Sequence, residues 1–226
     1  MQIASLKVMS IFKNIIVQFE CFYCHSLFVY RLGLCEICHN KLIDEYWQPQ
    51  ELLVSEETMQ YTLFQWPGQK SRILNAMVVR LKSPLYEPVW SEIARLFLAS
   101  FNFLKDDKSK TVFVCIPSTD KFRTHSEYFA TCLSTQTGVP VYDCLRWAEK
   151  FTPQKNLNKH DRKKIALYFD EEFTSYLNGV EKIILVDDVV TTGSTLGAAK
   201  QALLKVTHAR IEYCACFRRL ELTEFS

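Results

Sequence analysis

Residues 183–195 constrain the chain more than any other stretch. Ile183, Ile184, Leu185 and Val186 form a short apolar run that ends on two adjacent carboxylates, Asp187 and Asp188. Val189 and Val190 follow, then a small hydroxyl-rich turn, Thr191-Thr192-Gly193-Ser194-Thr195, which opens a helix-like segment from Leu196 to Lys205. A buried strand, an acidic pair and a small-residue loop at a helix N-terminus together suit a ribose phosphate. Backbone N–H groups and the helix dipole favour a phosphate dianion there. Thr and Ser hydroxyls add donors, Gly193 permits close approach, and carboxylates accept hydrogen bonds from a ribose diol. The plainer alternative is a strand–turn–helix with capping Thr and Ser residues. It leaves two charges at the end of a buried strand unexplained, where desolvation is costly without a partner.

The rest of the composition narrows the setting. A chain of 226 residues, 48% of them apolar, can bury one main core plus a small appendage. A net charge of +2 supplies no global field for nucleic acid. No run of 18 apolar residues exists, so stable membrane insertion is not expected. Residues 1–20 lack a basic start and a small-residue cleavage site. They read as an amphipathic helix packing Ile3, Leu6, Ile11, Ile15 and Phe19 on the body, with a peripheral contact at the inner face of a membrane as the second reading. Five of the nine cysteines are scattered through apolar or helical contexts, in keeping with a reducing, cytoplasmic compartment.

The other four cysteines cluster. Cys21-x-x-Cys24 and Cys35-x-x-Cys38 stand ten residues apart, a spacing that lets four thiolates converge on one Zn²⁺. Four thiolates leave no open coordination position, so the expected zinc is structural. Arg31 and Lys41 are candidates to offset its two net negative charges, and disulfides are the alternative. His25 and His39 each follow the second cysteine of a pair and stay open as substitute ligands.

Two domains are expected: an N-terminal helix and zinc module over 1–48, and an α/β domain over 49–226. Residues 49–58 read as a polar connector and 61–66 as a short strand. Helices are predicted over 71–81 and 88–104, the latter with Pro88 in its first turn. A buried strand over 111–116 leads to Pro117 and Ser118, then a helix over 126–137 and a strand over 140–145. Strand 181–187, helix 194–206 and strand 209–217 complete a doubly wound parallel sheet with ligands at its C-terminal edge. Between Arg146 and Lys164 seven cations face two carboxylates, a net +5. A solvated face is the ordinary explanation of such a run. After Phe217 little chain remains to build a base-binding hood.

All thirteen positions of 183–195 resemble the PRPP-binding signature of type I phosphoribosyltransferases (PRPP is 5-phosphoribosyl-1-pyrophosphate). The resemblance implies that Asp187 and Asp188 hold the ribose hydroxyls and that Val189 and Thr191 to Thr195 belong to the PRPP site. It also implies pyrophosphate contacts from the loop at Pro117 and Ser118, and Mg²⁺ bound with PRPP. In that family a loop closing over the reacting centre falls where this chain is most basic, which makes Arg146 and Arg162 the expected anion contacts.

The order of four cysteines, α/β core, basic loop with Gln154 and Arg162, and acidic signature resembles the ComF family of competence and DNA-utilisation proteins, from about Ile11 to Phe217. Where that family carries Arg-Gly-Phe-Asn-Gln, this chain has Arg123-Thr124-His125-Ser126-Glu127, keeping the arginine alone. The family's Arg-x-x-Asn stands here as Arg162-Lys163-Lys164-Ile165. The resemblance implies a phosphoribosyltransferase with Asp187, Asp188, Arg146 and Arg162 as catalytic residues, acting in natural transformation beside the DNA-uptake machinery. The alternatives are a non-enzymatic factor that handles single-stranded DNA and senses PRPP, and a nucleobase-salvage enzyme, against which the missing hood counts.

Overall fold

The computed structural model describes residues 20–55, 57–105, 107–118, 125–148 and 167–220. The expected N-terminal helix, the basic run beyond Trp147 including Arg162, and Arg123 lie outside the described residues.

Helix α1 (Glu36–Tyr46) leads directly into a β-hairpin of β1 (Trp47–Ser55) and β2 (Thr58–Trp66). Helices α2 (Arg72–Arg80) and α3 (Glu87–Ser100) follow, then β3 (Thr111–Cys115), α4 (His125–Thr137), β4 (Val141–Tyr142) and β5 (Leu145–Trp147). After β6 (Leu167–Phe169) come β7 (Lys182–Val190), α5 (Ser194–Leu203) and β8 (Arg210–Arg219). The main sheet has the order β1-β2-β8-β7-β3-β4, and only the edge strand β1 runs antiparallel to its neighbour. β5 and β6 pair separately in a two-stranded antiparallel sheet.

A parallel sheet covered on both faces demands strands that are apolar on both faces, and β7 meets this over Ile183 to Val186. Its Ile184 and Val186 join the core formed with α2, α3 and α4, whereas Ile183 and Leu185 join the core formed with α5 and the small sheet. Strand β3 divides likewise, with Phe113 and Cys115 to one side and Val112 and Val114 to the other. Helix α3 buries Trp90, Ile93, Ala94 and Phe97, a stripe spaced for one helical face. Phe97 is fully buried among Phe101, Phe103 and Phe129, so truncation to Ala would cost roughly 3–5 kcal/mol. Ser71 caps α2 by accepting the Leu74 N–H at 3.2 Å, and Pro88 sits in the first turn of α3. The core is continuous across residue 48: Phe22, Leu34 and Leu42 belong to the same cluster as Leu74, Trp90 and Phe97.

Several boundaries differ from expectation, among them the helix over 88–104, which ends at Ser100 because the backbone turns extended at Phe101. Residues 49–58 are not a connector but most of β1 and the start of β2; an edge strand shows one face to solvent, so its polar residues mimic a loop. Residues 140–145 do not form one strand, because only Val141 and Tyr142 pair with β3 and Leu145 turns away to pair with Phe169. Strand β7 continues through Val190, paired along β8 as far as Val190 with Arg218, so the acidic pair lies within the strand.

Candidate functional site

Strand pairing assembles the site at the C-terminal edge of the sheet. Val186 lies opposite Cys115 in β3, and the Ile116 N–H donates to the Val186 carbonyl at 2.9 Å. Pro117 therefore leaves the sheet just past this bond, while Asp187 stays in β7, paired with Ala215 of β8. Asp187, Asp188 and Val189 are half-buried. The Asp187 carboxylate accepts the backbone N–H of Asp188 at 2.9 Å. Burial first, and then the charge of Asp188, push the Asp187 carboxyl well above its ordinary range. Asp188 also bears on Cys216, whose thiol is pushed up by burial and then by that carboxylate. A strained acidic pair of this kind suits hydroxyl donors or a cation.

Beyond Val190 the turn is open. Thr191, Thr192 and Ser194 are exposed. Thr192 Oγ1 and Ser194 Oγ lie 3.0 Å apart, and Thr192 Oγ1 accepts the Ser194 N–H at 3.4 Å. Gly193, with φ of 71°, occupies the left-handed region, and a Cβ there would meet nothing within 4 Å. It is the N-cap of α5, whose first turn carries no carboxylate. No acidic side chain in that turn offsets the positive end of the helix dipole.

Across from the acidic strand, Pro117, Ser118, Glu127, Asp143, Arg146 and Trp147 line a cleft of about 430 Å³. Three of the expected site residues, Pro117, Ser118 and Arg146, therefore share one cavity. The Arg146 guanidinium is already engaged there. It pairs with Asp143 at 2.9 Å and Asp170 at 3.3 Å, donates to the Asp143 and Leu145 carbonyls, and lies 5.9 Å from the Phe173 ring centre. Its position clamps the base of the β5–β6 hairpin to the preceding loop. An anion would have to draw it from two carboxylates. Trp147, which no sequence motif singles out, donates its indole N–H to the Pro117 carbonyl at 2.9 Å. Its one signal was an aromatic side chain at the start of a polar, basic stretch.

The four clustered cysteines form the second candidate site. The sulfurs of Cys21, Cys24, Cys35 and Cys38 all lie within 4.8 Å of one another, with Cys24 and Cys35 at 3.5 Å. Tetrahedral Zn²⁺ with ~2.3 Å bonds needs sulfurs a little under 4 Å apart, so the donor set fits zinc with small adjustment. All four are free thiols. Burial pushes the Cys21 thiol up, but hydrogen bonds from the backbone at Cys24, Cys35 and Tyr23 and from the Cys24 thiol together bring it down to about 7. The histidines take no part in the cluster. His25 pairs with Glu20, and His39 packs edge-on against Tyr30 at 5.3 Å. Arg31 and Lys41 are turned to carboxylates, Glu92 at 3.8 Å and Glu45 at 3.7 Å. The Leu32 N–H donates to Glu92 at 2.7 Å, and Phe22 meets Tyr86 edge-on at 4.7 Å, which docks the module on α3. Its outer face exposes Leu27, Phe28, Tyr30 and Ile37. Among the described residues no helix is long and apolar enough to cross a membrane.

No family model matches the chain, and no curated protein matches it significantly.

Proposed function

We propose that this chain binds PRPP with Mg²⁺ and acts as a phosphoribosyltransferase of the type I fold, with a structural zinc module appended. One observation carries the reading: a central strand delivers a half-buried carboxylate pair, Asp187 and Asp188, into a hydroxyl-rich loop at the open N-terminus of α5. Asp187 and Asp188 would accept the ribose hydroxyls, and Thr191 to Thr195 would surround the 5-phosphate. The adjacent Pro117–Ser118 cleft is the right neighbour for the pyrophosphate. Asp187 and Asp188 would also hold Mg²⁺, whose charge would offset the burial and the Asp188 repulsion that raise the Asp187 pKa. Mg²⁺ supplies charge neutralisation to the departing pyrophosphate. The chain's own work is to fix the ribose, so that an acceptor nitrogen reaches C1 as the bond to pyrophosphate breaks.

The test is PRPP-dependent pyrophosphate release across a panel of nucleobases and amines. Release with one acceptor class, abolished in Asp187→Ala, supports an enzyme. PRPP binding with no release across the panel limits the chain to PRPP sensing.

A role in DNA utilisation is part of the proposal, and one observation favours direct contact with single strands. Phe28 and Tyr30 are 84% and 55% exposed on the cysteine module, which suits base stacking. Retention of single-stranded DNA at low salt, weakened in the Phe28→Ala/Tyr30→Ala double variant and by charge reversal at Lys155 and Lys159, would support it. No retention at low salt would end it.

A further inference from the structure

We propose that Trp147 is a positioning residue that shapes the pyrophosphate subsite by holding the backbone at Pro117, an inference that rests on the PRPP reading above. Two consecutive carbonyls leave the end of β3 with side-chain partners from other elements. Ser126 Oγ donates to the Ile116 carbonyl at 2.5 Å, and Trp147 Nε1 donates to the Pro117 carbonyl at 2.9 Å. Pro117 has no N–H of its own, so its carbonyl is the only backbone handle by which this residue can be fixed. The Ile116 N–H is already paired to β7. The chain thus turns out of the sheet with its backbone set by three bonds to three different elements, β7, α4 and β5. Trp147 supplies the last of these and, like Ser126, lines the cleft that Ser118 also lines.

The strut has a rigid footing. Trp147 pairs with Leu167 in β6, and its neighbour Arg146 is held by Asp143 and Asp170. The Asp170 N–H donates to the Cys144 carbonyl at 2.8 Å. Tyr142, Phe173 and Tyr176 pack beneath, with ring centres 5.3 and 5.8 Å apart. Loss of the indole N–H therefore releases Pro117 while leaving the hairpin in place. The expected consequence is confined to ligands that reach the Pro117–Ser118 cleft. The ribose and 5-phosphate contacts, on β7 and α5, do not depend on it.

The experiment compares Trp147→Phe with the wild-type full chain by calorimetry, using PRPP, pyrophosphate and ribose 5-phosphate with Mg²⁺. Leaving one carbonyl unsatisfied should weaken PRPP and pyrophosphate roughly five- to tenfold. Ribose 5-phosphate should change by less than about twofold, within the scatter of a contact not made. A uniform loss for all three ligands, or no loss for any, overturns the positioning role while leaving PRPP binding intact. Wild-type protein that binds none of them overturns the PRPP reading and this inference together. Should Trp147→Phe fail to fold, the isosteric benzothienylalanine at 147, which replaces the indole N–H by sulfur, carries the same comparison.

Discussion

The carboxylate of Asp187 accepts the backbone N–H of Asp188 at 2.9 Å, so one member of the acidic pair is bound to the main chain of the other. This single bond lowers the Asp187 pKa, but burial and the Asp188 charge outweigh it and raise the pKa well above 3.8. A carboxyl raised in the folded state contributes stability that is intact below its unfolded pKa and lost as pH rises through its folded pKa. Ligand-free Asp187→Asn should therefore be more stable than wild type at neutral pH, and the difference should shrink toward zero as pH falls to 3.8 and below. Denaturant titrations at stepped pH measure it. A variant no more stable than wild type at neutral pH would contradict the assignment of strain to this pair.

Gly193 separates two effects that substitution usually mixes. Its φ of 71° disfavours any side chain, yet a Cβ would strike nothing within 4 Å. Gly193→Ala should lower stability by about 1 kcal/mol from backbone strain. It should weaken ribose 5-phosphate binding further, because the added methyl would occupy space proposed for the 5-phosphate. Thermal melts and ligand titrations on the same preparation check both parts.

Gly33 offers the contrasting case within the cysteine module. Its φ is 72°, and a Cβ would lie 2.3 Å from the Phe22 ring. Phe22 is buried against Tyr86, so the ring has little room to yield. Gly33→Ala should cost roughly 1–3 kcal/mol from overpacking beyond its backbone strain, and zinc retention should fall with it. Metal analysis after gel filtration, alongside a melt, reads the outcome.

Zinc itself should be present at one ion per chain. Chelation should remove it and destabilise the whole chain, because Phe22, Leu34 and Leu42 share a core with α2 and α3. Cys38→Ser should reproduce the apo behaviour, whereas His25→Ala and His39→Ala should retain full metal, since both side chains point to other partners. Loss of metal in either histidine variant would contradict the all-cysteine donor set.

What could be read from the sequence was what depends on neighbours in the chain. The apolar run of β7, the cysteine spacing and Pro88 in the first turn of α3 are local patterns, and each appears in the structure near its expected place. Features set by distant partners were not legible. The polar residues 49–55 gave no sign that β2 would pair with them. Nothing near Arg146 announced Asp170 as its partner, and nothing near Lys182 announced that its ammonium would be buried against Glu212 at 2.9 Å and the Phe103 carbonyl at 2.6 Å. The same limit applied to Trp147, whose role depends on a carbonyl thirty positions away. Charge counting found a basic segment, but it could not distinguish an arginine free to meet an anion from one held by two carboxylates.

The most direct test of the account is calorimetric titration of the full chain with PRPP in the presence and absence of Mg²⁺. One PRPP per chain should bind saturably, with binding that requires Mg²⁺, is lost in Asp187→Ala, and is weaker for ribose 5-phosphate. Absence of binding by folded, zinc-loaded protein at millimolar PRPP and Mg²⁺, or binding unchanged by Asp187→Ala, would contradict it.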